Sequence, residues 1–410
     1  MSLPSSTGGR LSATLTTSRG TSWQPWAGNL GLLALSLFAA LMVLEHVVFR
    51  FVLLPDDRLE NVTINNVVRY MPNARATFRH ADGRTTLATV NADGWNSTKP
   101  DYALARTPGR QRIAVVGDSY VHGAFVDVDA AFPELMEREL RASGRDVEVF
   151  RFGMDGAPLS QYLHVLRREV VAYKPDIVVI PLIHNDFDES YRFLKTRYAS
   201  SFMKLRQESD RTISEVPPDE FRYGTADALR DWRTFRYLYY KTNFYLYAKS
   251  WISRIFWGGN EDWKPEFVSS AVDIRKIADH ASNRLFAGYV MVEMTKLAAE
   301  HNFKLAFVMD GVREAVYAGR NAGDYEVGML NRIAADLAHE QGLPFLDLQD
   351  AFKRDFTRHG KRFEFAYDWH WNEHANALVA REIVQLLGTD PRLALARPGR
   401  AAAAGNVRVK

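Results

Sequence analysis

The 410-residue sequence contains no cysteine. This absence excludes a disulfide scaffold, a thiolate zinc site, an iron–sulfur cluster and a cysteine nucleophile. An excess of charge of either sign is also missing, because 52 Lys and Arg residues face 49 Asp and Glu residues, for a net charge of +3. We therefore expect no nucleic-acid partner. Hydrophobic residues make up 47% of the chain, which is typical of a globular protein with a sizeable core.

Several short signatures are absent as well. The sequence has no Gly-x-x-x-x-Gly-Lys-Ser/Thr phosphate loop, no His-Glu-x-x-His helix, and no Gly-x-Gly-x-x-Gly turn after the first strand of the main domain. A Gly-x-Ser-x-Gly nucleophile elbow would need glycine at the position that Val121 occupies. Nothing in these patterns calls for a cofactor, and we expect none.

One long apolar run departs from soluble composition. The 18 residues from Ala27 to Leu44 carry no charge, and apolar character continues beyond them. A helix over residues 28–50 is long enough to cross a hydrocarbon core of about 30 Å, which predicts a single transmembrane anchor. A buried core helix is the alternative; a cleaved signal peptide fits poorly, because no small-residue cleavage site follows the run. The positive-inside count does not decide the orientation. From the short tail and the long remainder we expect a single-pass protein of the cytoplasmic (inner) membrane, with the remainder periplasmic.

The rest of the chain divides by pattern. Residues 1–27 and the basic tail 391–410 are predicted to be disordered. Residues 51–109 carry turn signals between short β-type stretches, which predicts a strand-rich lead-in. In residues 110–390, short apolar runs alternate with segments of helical spacing, which indicates an α/β domain with a parallel sheet and helices on both faces.

An insertion interrupts this alternation at about residues 187–273. Its segment 232–257 is rich in Trp, Tyr and Phe, with basic residues among them. The pattern favours a helical subdomain that packs its aromatic side chains on the core. A membrane-surface segment and a carbohydrate-stacking surface remain open alternatives.

Three loops carry residues that could take part in catalysis. Each loop is expected to follow a strand, at the edge of the sheet where ligands bind. Gly117-Asp118-Ser119 presents a hydroxyl suited to nucleophilic attack. His184-Asn185-Asp186 offers an amide that can donate to an oxyanion. Asp368-Trp369-His370 combines a base with an acid that can orient it, before a helix that Asn372 would cap. Each loop alone is equally a helix cap, a turn or a surface histidine, but their joint order favours one site.

These blocks resemble a known family. Gly117-Asp118-Ser119, Gly153-x-x-Gly156, Asn185-Asp186 and Asp368-x-His370-x-Asn372 are similar to the four ordered blocks of SGNH hydrolases, also called GDSL esterases. The resemblance implies a flavodoxin-like three-layer αβα sandwich. It also implies Ser119 as nucleophile, His370 as general base and Asp368 as its orienter. An oxyanion hole would comprise the Ser119 and Gly156 N–H groups and the Asn185 amide, with Asp118, Gly153 and Asp186 as secondary candidates.

Three positions depart from the family pattern without removing a catalytic group. Ile183 stands where glycine usually opens the third block, Arg151 where asparagine is common, and Ala375 where glycine often follows the histidine. An anchored chain with these blocks also looks like bacterial proteins that modify envelope or secreted polysaccharides. The resemblance therefore implies a serine-dependent esterase acting on O-acyl, above all O-acetyl, esters of carbohydrate, with envelope polysaccharide machinery as a partner. An O-acetyltransferase of exopolysaccharide biosynthesis is the alternative.

Two rival hypotheses come from other classes. A two-metal phosphoesterase would find enough hard ligands in the chain, namely Asp118, His122, His184, Asp186, Asp368, His370 and His374. The order of these residues differs from the one such enzymes use, so we expect no metal site. A non-catalytic glycan-binding or assembly component of an export complex is the second rival, and the complete Ser/His/Asp/Asn set argues against it.

Overall fold

The computed structural model describes residues 24–80, 82–193, 200–242, 279–366, 368–393 and 395. Its centre is a sheet of five parallel strands in the spatial order β11-β10-β7-β5-β6. Renumbered along the chain, this order is 2-1-3-4-5, the flavodoxin-like arrangement that the resemblance implies. The sheet strands are β5 (Gln111–Gly117), β6 (Val147–Gly153), β7 (Ile177–Leu182), β10 (Lys304–Met309) and β11 (Phe345–Asp347).

Alternate side chains of these strands enter two separate cores. Ala114 and Val116 of β5 face a core that includes helices α4 (Leu159–Arg168) and α8 (His280–His301). Ile113 and Val115 face a second core, which includes helices α3 (Phe132–Ala142) and α12 (Glu373–Thr389). Strands buried on both faces need apolar side chains at nearly every position, which is why they read as continuous apolar runs. The result is a three-layer αβα sandwich.

The helices that precede β10 in the chain are α1 (Gln24–Val43), α2 (Ser119–His122), α3 (Phe132–Ala142), α4 (Leu159–Arg168), α5 (Asp186–Glu189), α6 (Thr225–Asp231), α7 (Arg233–Lys241) and α8 (His280–His301). Those that follow it are α9 (Arg313–Ala318), α10 (Gly328–Glu340), α11 (Gln349–His359) and α12 (Glu373–Thr389).

The predicted lead-in contains two antiparallel hairpins. Strands β1 (Asn61–Ile64) and β2 (Val67–Tyr70) form the first, and β3 (Arg75–Arg79) and β4 (Thr85–Thr89) form the second. Trp95, which follows the second hairpin, is fully buried. Its ring packs against that of Phe152 in the main sheet, with 5.4 Å between the ring centroids. The lead-in thus packs on the α/β domain.

Helix α1 continues as a π-helical segment, Leu44–Val52. Together Trp26–Val52 form one helix that is long and apolar enough to cross a membrane. Its last turns lie against the start of helix α7, within the predicted insertion. The Glu45 carboxylate accepts hydrogen bonds from the backbone N–H groups of Arg233 (2.9 Å) and Thr234 (2.8 Å). Glu45 thereby caps the N-terminus of α7, where the first N–H groups have no helical partner.

The structure differs from the sequence analysis in three places. One of the segments of helical spacing, residues 159–173, breaks at Glu169 into α4 and a 3-10 turn, Val170–Tyr173. In the predicted insertion, β8 (Lys204–Gln207) and β9 (Ile213–Val216) form a hairpin beside the helices. Much of the aromatic segment 232–257 lies outside the described residues, as do residues 1–23 and 396–410 of the two tails.

The third difference concerns the segment that contains Asp368-Trp369-His370, which was expected to be a loop; this expectation was wrong. Helix α11 extends to His359, and a short hairpin of β12 (Glu364–Phe365) and β13 (Asp368–Trp371) follows. Strands of two to four residues carry too few positions to show an alternation in the sequence. The helix expected from Asn372 is confirmed, since the Asn372 side chain accepts from the Ala375 N–H at 3.0 Å and caps α12.

Candidate active site

Ser119 is the first residue of α2, directly after β5. Asp118 caps this short helix by accepting the Tyr120 N–H at 2.9 Å, so the cap and the presentation of the serine are two roles of one turn. The turn lies unusually close to β6. A Cβ atom at Gly153 would lie only 2.1 Å from the backbone nitrogen of His122. Glycine at this position therefore lets the serine turn approach the neighbouring strand.

His370 reaches the serine from the other end of the chain. Its Nε2 atom lies 2.7 Å from the Ser119 Oγ, although 251 positions separate the two residues. On the far side of the ring, Nδ1 contacts the Asp368 Oδ1. The same Asp368 oxygen accepts the His370 backbone N–H at 2.8 Å, which fixes the short hairpin strand around the pair. The Ser119 hydroxyl, the His370 imidazole and the Asp368 carboxylate thus form a continuous chain of hydrogen bonds.

The electrostatics of the site suit proton transfer. Burial would lower the pKa of the His370 imidazole, but the Asp368 carboxylate, with help from Asp118 and Asp155, outweighs it and raises the pKa above the ordinary value of 6.5. Burial raises the pKa of Asp118 to about 7, although the hydrogen bond from the Tyr120 N–H lowers it. A carboxylate beside an imidazole stabilises the imidazolium that forms when a serine gives up its proton.

The remaining predicted residues also lie at the carboxyl ends of the strands. Gly156 follows β6 with φ +69°, a left-handed conformation that favours glycine. Asn185 follows β7 and begins α5 without capping it, and its amide bonds the Glu189 side chain instead. Asp186 is fully buried and accepts the Ile183 N–H at 2.8 Å, which ties down the loop after β7 at the position where the family usually has glycine.

Comparison with known proteins places these features in a family. Residues 113–223 match the model of the GDSL-like lipase/acylhydrolase family, and this range contains Ser119, Gly156 and Asn185. The chain carries a GDSL-like acylhydrolase domain. This match supports an acyl-ester hydrolase of the SGNH serine-hydrolase type, and the matched residues include three strands of the five-stranded sheet.

Solved structures with distant similarity include several esterases. An acetyl xylan esterase is 12% identical over 67% of this chain and 98% of its own, with a TM-score of 0.38. A lipase/acylhydrolase from Enterococcus faecalis is 17% identical over 67% and 96%, with a TM-score of 0.34. A catalytic mutant of an acetylxylan esterase from Geobacillus stearothermophilus is 13% identical over 68% and 95%, with a TM-score of 0.38. The search of curated proteins found no significant match.

The acylhydrolase site contains a buried arginine that the sequence analysis missed. Arg313, from the start of α9, donates to the Trp369 carbonyl at 2.7 Å and to the Tyr120 hydroxyl at 2.9 Å. The Tyr120 hydroxyl in turn donates to the same Trp369 carbonyl at 3.0 Å. One carbonyl between Asp368 and His370 therefore takes two donors, one of them from the residue next to Ser119.

The charge of Arg313 is compensated within the fold. Its guanidinium lies 3.2 Å from Asp310 and 3.5 Å from Glu364, and Asp310 also accepts the Trp371 indole N–H at 3.1 Å. A buried arginine without such partners would be strongly destabilising. The only sequence signal for Asp310 was its place directly after β10, and Arg313 gave no signal.

A second feature missed from the sequence is a histidine–aspartate pair beside the serine turn. The His122 Nδ1 lies 2.9 Å from the Asp155 Oδ1, and the same ring contacts the Tyr70 hydroxyl. The Asp155 side chain remains 43% exposed, while that of His122 is almost fully buried. The pair therefore presents a carboxylate in the loop between Gly153 and Gly156.

We predict that Tyr120→Phe lowers kcat by about 3–10-fold and changes KM little. The substitution removes the hydrogen bond to the Trp369 carbonyl and the one that Arg313 donates to the hydroxyl, and both bonds position His370 without binding substrate. Steady-state kinetics on a soluble acetyl ester would measure both constants. Tyr102→Phe is the matched control, since Tyr102 is also buried and also donates to a backbone carbonyl, that of Arg151, at 3.0 Å. Equal kcat losses in the two variants would contradict a positioning role for Tyr120.

We predict that kcat/KM rises with pH through an apparent pKa above 6.5, because the His370 imidazole can accept a proton only when it is neutral. Asp368→Asn should move this acid limb to lower pH, since burial then dominates the pKa of the imidazole. It should also lower kcat by several orders of magnitude, since the tautomer is no longer fixed. The pH profiles of both proteins, with exposed Asp336→Asn as control, measure the shift. An acid limb that stays in place would contradict the pairing of Asp368 with His370.

Proposed function

We propose that Ser119, His370 and Asp368 hydrolyse O-acyl esters through an acyl-serine intermediate. The observation that carries this proposal is the 2.7 Å contact between the Ser119 Oγ and the His370 Nε2, with Asp368 on the opposite ring nitrogen. His370 takes the serine proton as Oγ attacks the ester carbonyl. It then returns the proton to the leaving alcohol, and in the second half it activates the acceptor that releases the acyl group.

The proposed oxyanion hole comprises the Ser119 and Gly156 N–H groups and the Asn185 amide. All three follow adjacent parallel strands, β5, β6 and β7, at the same edge of the sheet. The Asn185 amide has two N–H groups, so the bond to Glu189 leaves one for the oxyanion. Preorganised donors of this kind stabilise charge that develops on the carbonyl oxygen in the transition state.

The proposed substrate is a neutral ester on a polyhydroxylated alcohol, above all an O-acetyl group on a carbohydrate. Asp118 and Asp155 flank the triad, and this excess of carboxylates disfavours an anionic substrate. The half-exposed Asp155 carboxylate is suited to accept hydrogen bonds from sugar hydroxyls. The similarity of the ordered blocks to envelope-modifying proteins points to the same class of substrate.

We place the domain at the cytoplasmic membrane, anchored by the helix Trp26–Val52, with the catalytic part outside the cytoplasm. The bonds from Glu45 to α7 support a helix that is retained in the mature protein, because they join its last turns to the folded domain. Envelope polysaccharide machinery is the partner that this location would offer.

Acetyl transfer to a sugar is the second candidate function. It uses the same acyl-serine, and the acceptor is a hydroxyl group in place of water. The Asp155 carboxylate favours it, since a group that binds a sugar hydroxyl beside His370 would hold the acceptor where its proton can be removed.

A product analysis distinguishes these functions. Full-length protein in detergent is incubated with an acetyl-ester reporter, with and without oligosaccharide acceptors, and mass spectrometry locates the acetyl group. Free acetate in both conditions supports hydrolysis, and acetylated oligosaccharide supports transfer. Release of the acetyl group in neither condition, from folded protein, would contradict the proposed function and favour a glycan-binding component.

We predict that Asn185→Ala lowers kcat by about 10²–10³-fold, the usual cost of losing one oxyanion donor. The thermal stability should change much less, because the Asn185 side chain does not cap α5. Steady-state kinetics and a melting curve measure the two effects. Asn321→Ala, at the start of an exposed 3-10 turn, is the control. An unchanged kcat in Asn185→Ala would remove Asn185 from the oxyanion hole.

A further inference from the structure

Two histidines and an aspartate meet on the outer layer of the domain, apart from the catalytic triad. Asp355 and His359 lie one turn apart near the end of α11, and His374 lies in the first turn of α12. The ligand atoms of the three side chains all lie within 4.8 Å of one another. The Asp355 carboxylate is nearly buried, at 7% exposure, whereas the His359 and His374 side chains are 44% and 26% exposed.

Each carboxylate oxygen faces one imidazole. The His359 Nδ1 lies 3.2 Å from the Asp355 Oδ1, and the His374 Nε2 lies 2.5 Å from the Asp355 Oδ2. The His374 ring stacks on Phe363 with an interplanar angle of 12°, which fixes the direction of its nitrogen. Ring packing of this kind limits the orientations that the His374 imidazole can adopt beside Asp355.

The geometry is close to that of a bound zinc ion. Ligands about 2.0–2.2 Å from a tetrahedral ion lie about 3.3–3.5 Å from one another. His359 already has nearly this separation from the carboxylate. His374 would withdraw by about 1 Å, as its hydrogen bond is replaced by a bond to the ion. The exposed side of both rings leaves room for a water molecule as the fourth ligand.

We propose that Asp355, His359 and His374 form a binding site for a divalent transition-metal ion of the Zn²⁺ type. Two imidazoles and a carboxylate suit ions of this type, whereas Mg²⁺ and Ca²⁺ take oxygen ligands. The ion would tie the last turn of α11 to the first turn of α12. Residues 360–372 lie between these helices and carry Asp368 and His370, so metal binding would brace the hairpin that holds the base.

The first test is a count of bound ions. Full-length protein in detergent is stripped with a chelator, dialysed against micromolar Zn²⁺ at pH 7.5, and analysed for zinc by mass spectrometry. We expect wild type to hold one zinc equivalent more than His359→Ala and one more than His374→Ala. His339→Ala, which removes an exposed histidine of α10, and His370→Ala should retain the full wild-type count.

The second test follows the segment that the ion would brace. Zn²⁺ should slow hydrogen exchange of residues 360–372 in wild type and not in His359→Ala. His359 is exposed, so its removal should leave the fold intact, which a melting curve without metal checks. Equal zinc counts in wild type and both cluster variants, or no bound zinc in wild type, would overturn the proposal.

Discussion

A single buried guanidinium holds the two halves of the site together. Arg313 and the Tyr120 hydroxyl both donate to the Trp369 carbonyl, so the peptide between Asp368 and His370 is bonded directly to the helix that begins with Ser119. The same two segments also meet through the hydrogen bond between Ser119 and His370 and through the Tyr120 ring, which packs against His370 and Trp371. Because Asp310 and Glu364 neutralise the guanidinium, the arrangement places a full charge in the core without leaving it unpaired.

The sheet provides the other half of the constraint. Parallel strands bring all their carboxyl ends to one edge, so residues after β5, β6, β7 and β10 converge without long loops. Gly153 narrows the gap further, because only hydrogen fits between that strand and the His122 backbone. The position of the serine is therefore set by backbone packing, and the position of the histidine by the buried arginine. Near the N-terminus, Glu45 joins the apolar helix to α7. These bonds fix the orientation of α7 relative to the proposed anchor.

Local signals were enough to predict the layers and the main strands. Continuous apolar runs such as Asp176–Ile183 indicated buried strands, and the turn at Gly117 indicated where the first strand ends. The ordered Ser, Asn and Asp-x-His blocks placed the triad candidates on the chain. Arg313 could not be predicted, because a buried arginine looks like any surface arginine until its partners at Asp310, Glu364 and Trp369 are known. The hairpin around His370 was missed for a different reason, since its strands are too short to carry a periodic pattern. Contacts between distant segments therefore account for the first omission, and strand length accounts for the second.

The most direct measurement of the central claim is covalent trapping of the nucleophile. Full-length protein is treated with a serine-directed fluorophosphonate, and peptide mass spectrometry locates the adduct. If His370 activates Ser119, one adduct forms on Ser119, and its rate of formation falls by several orders of magnitude in His370→Ala while the protein stays folded. An adduct on another residue, or labelling of Ser119 at the same rate without His370, would contradict the account.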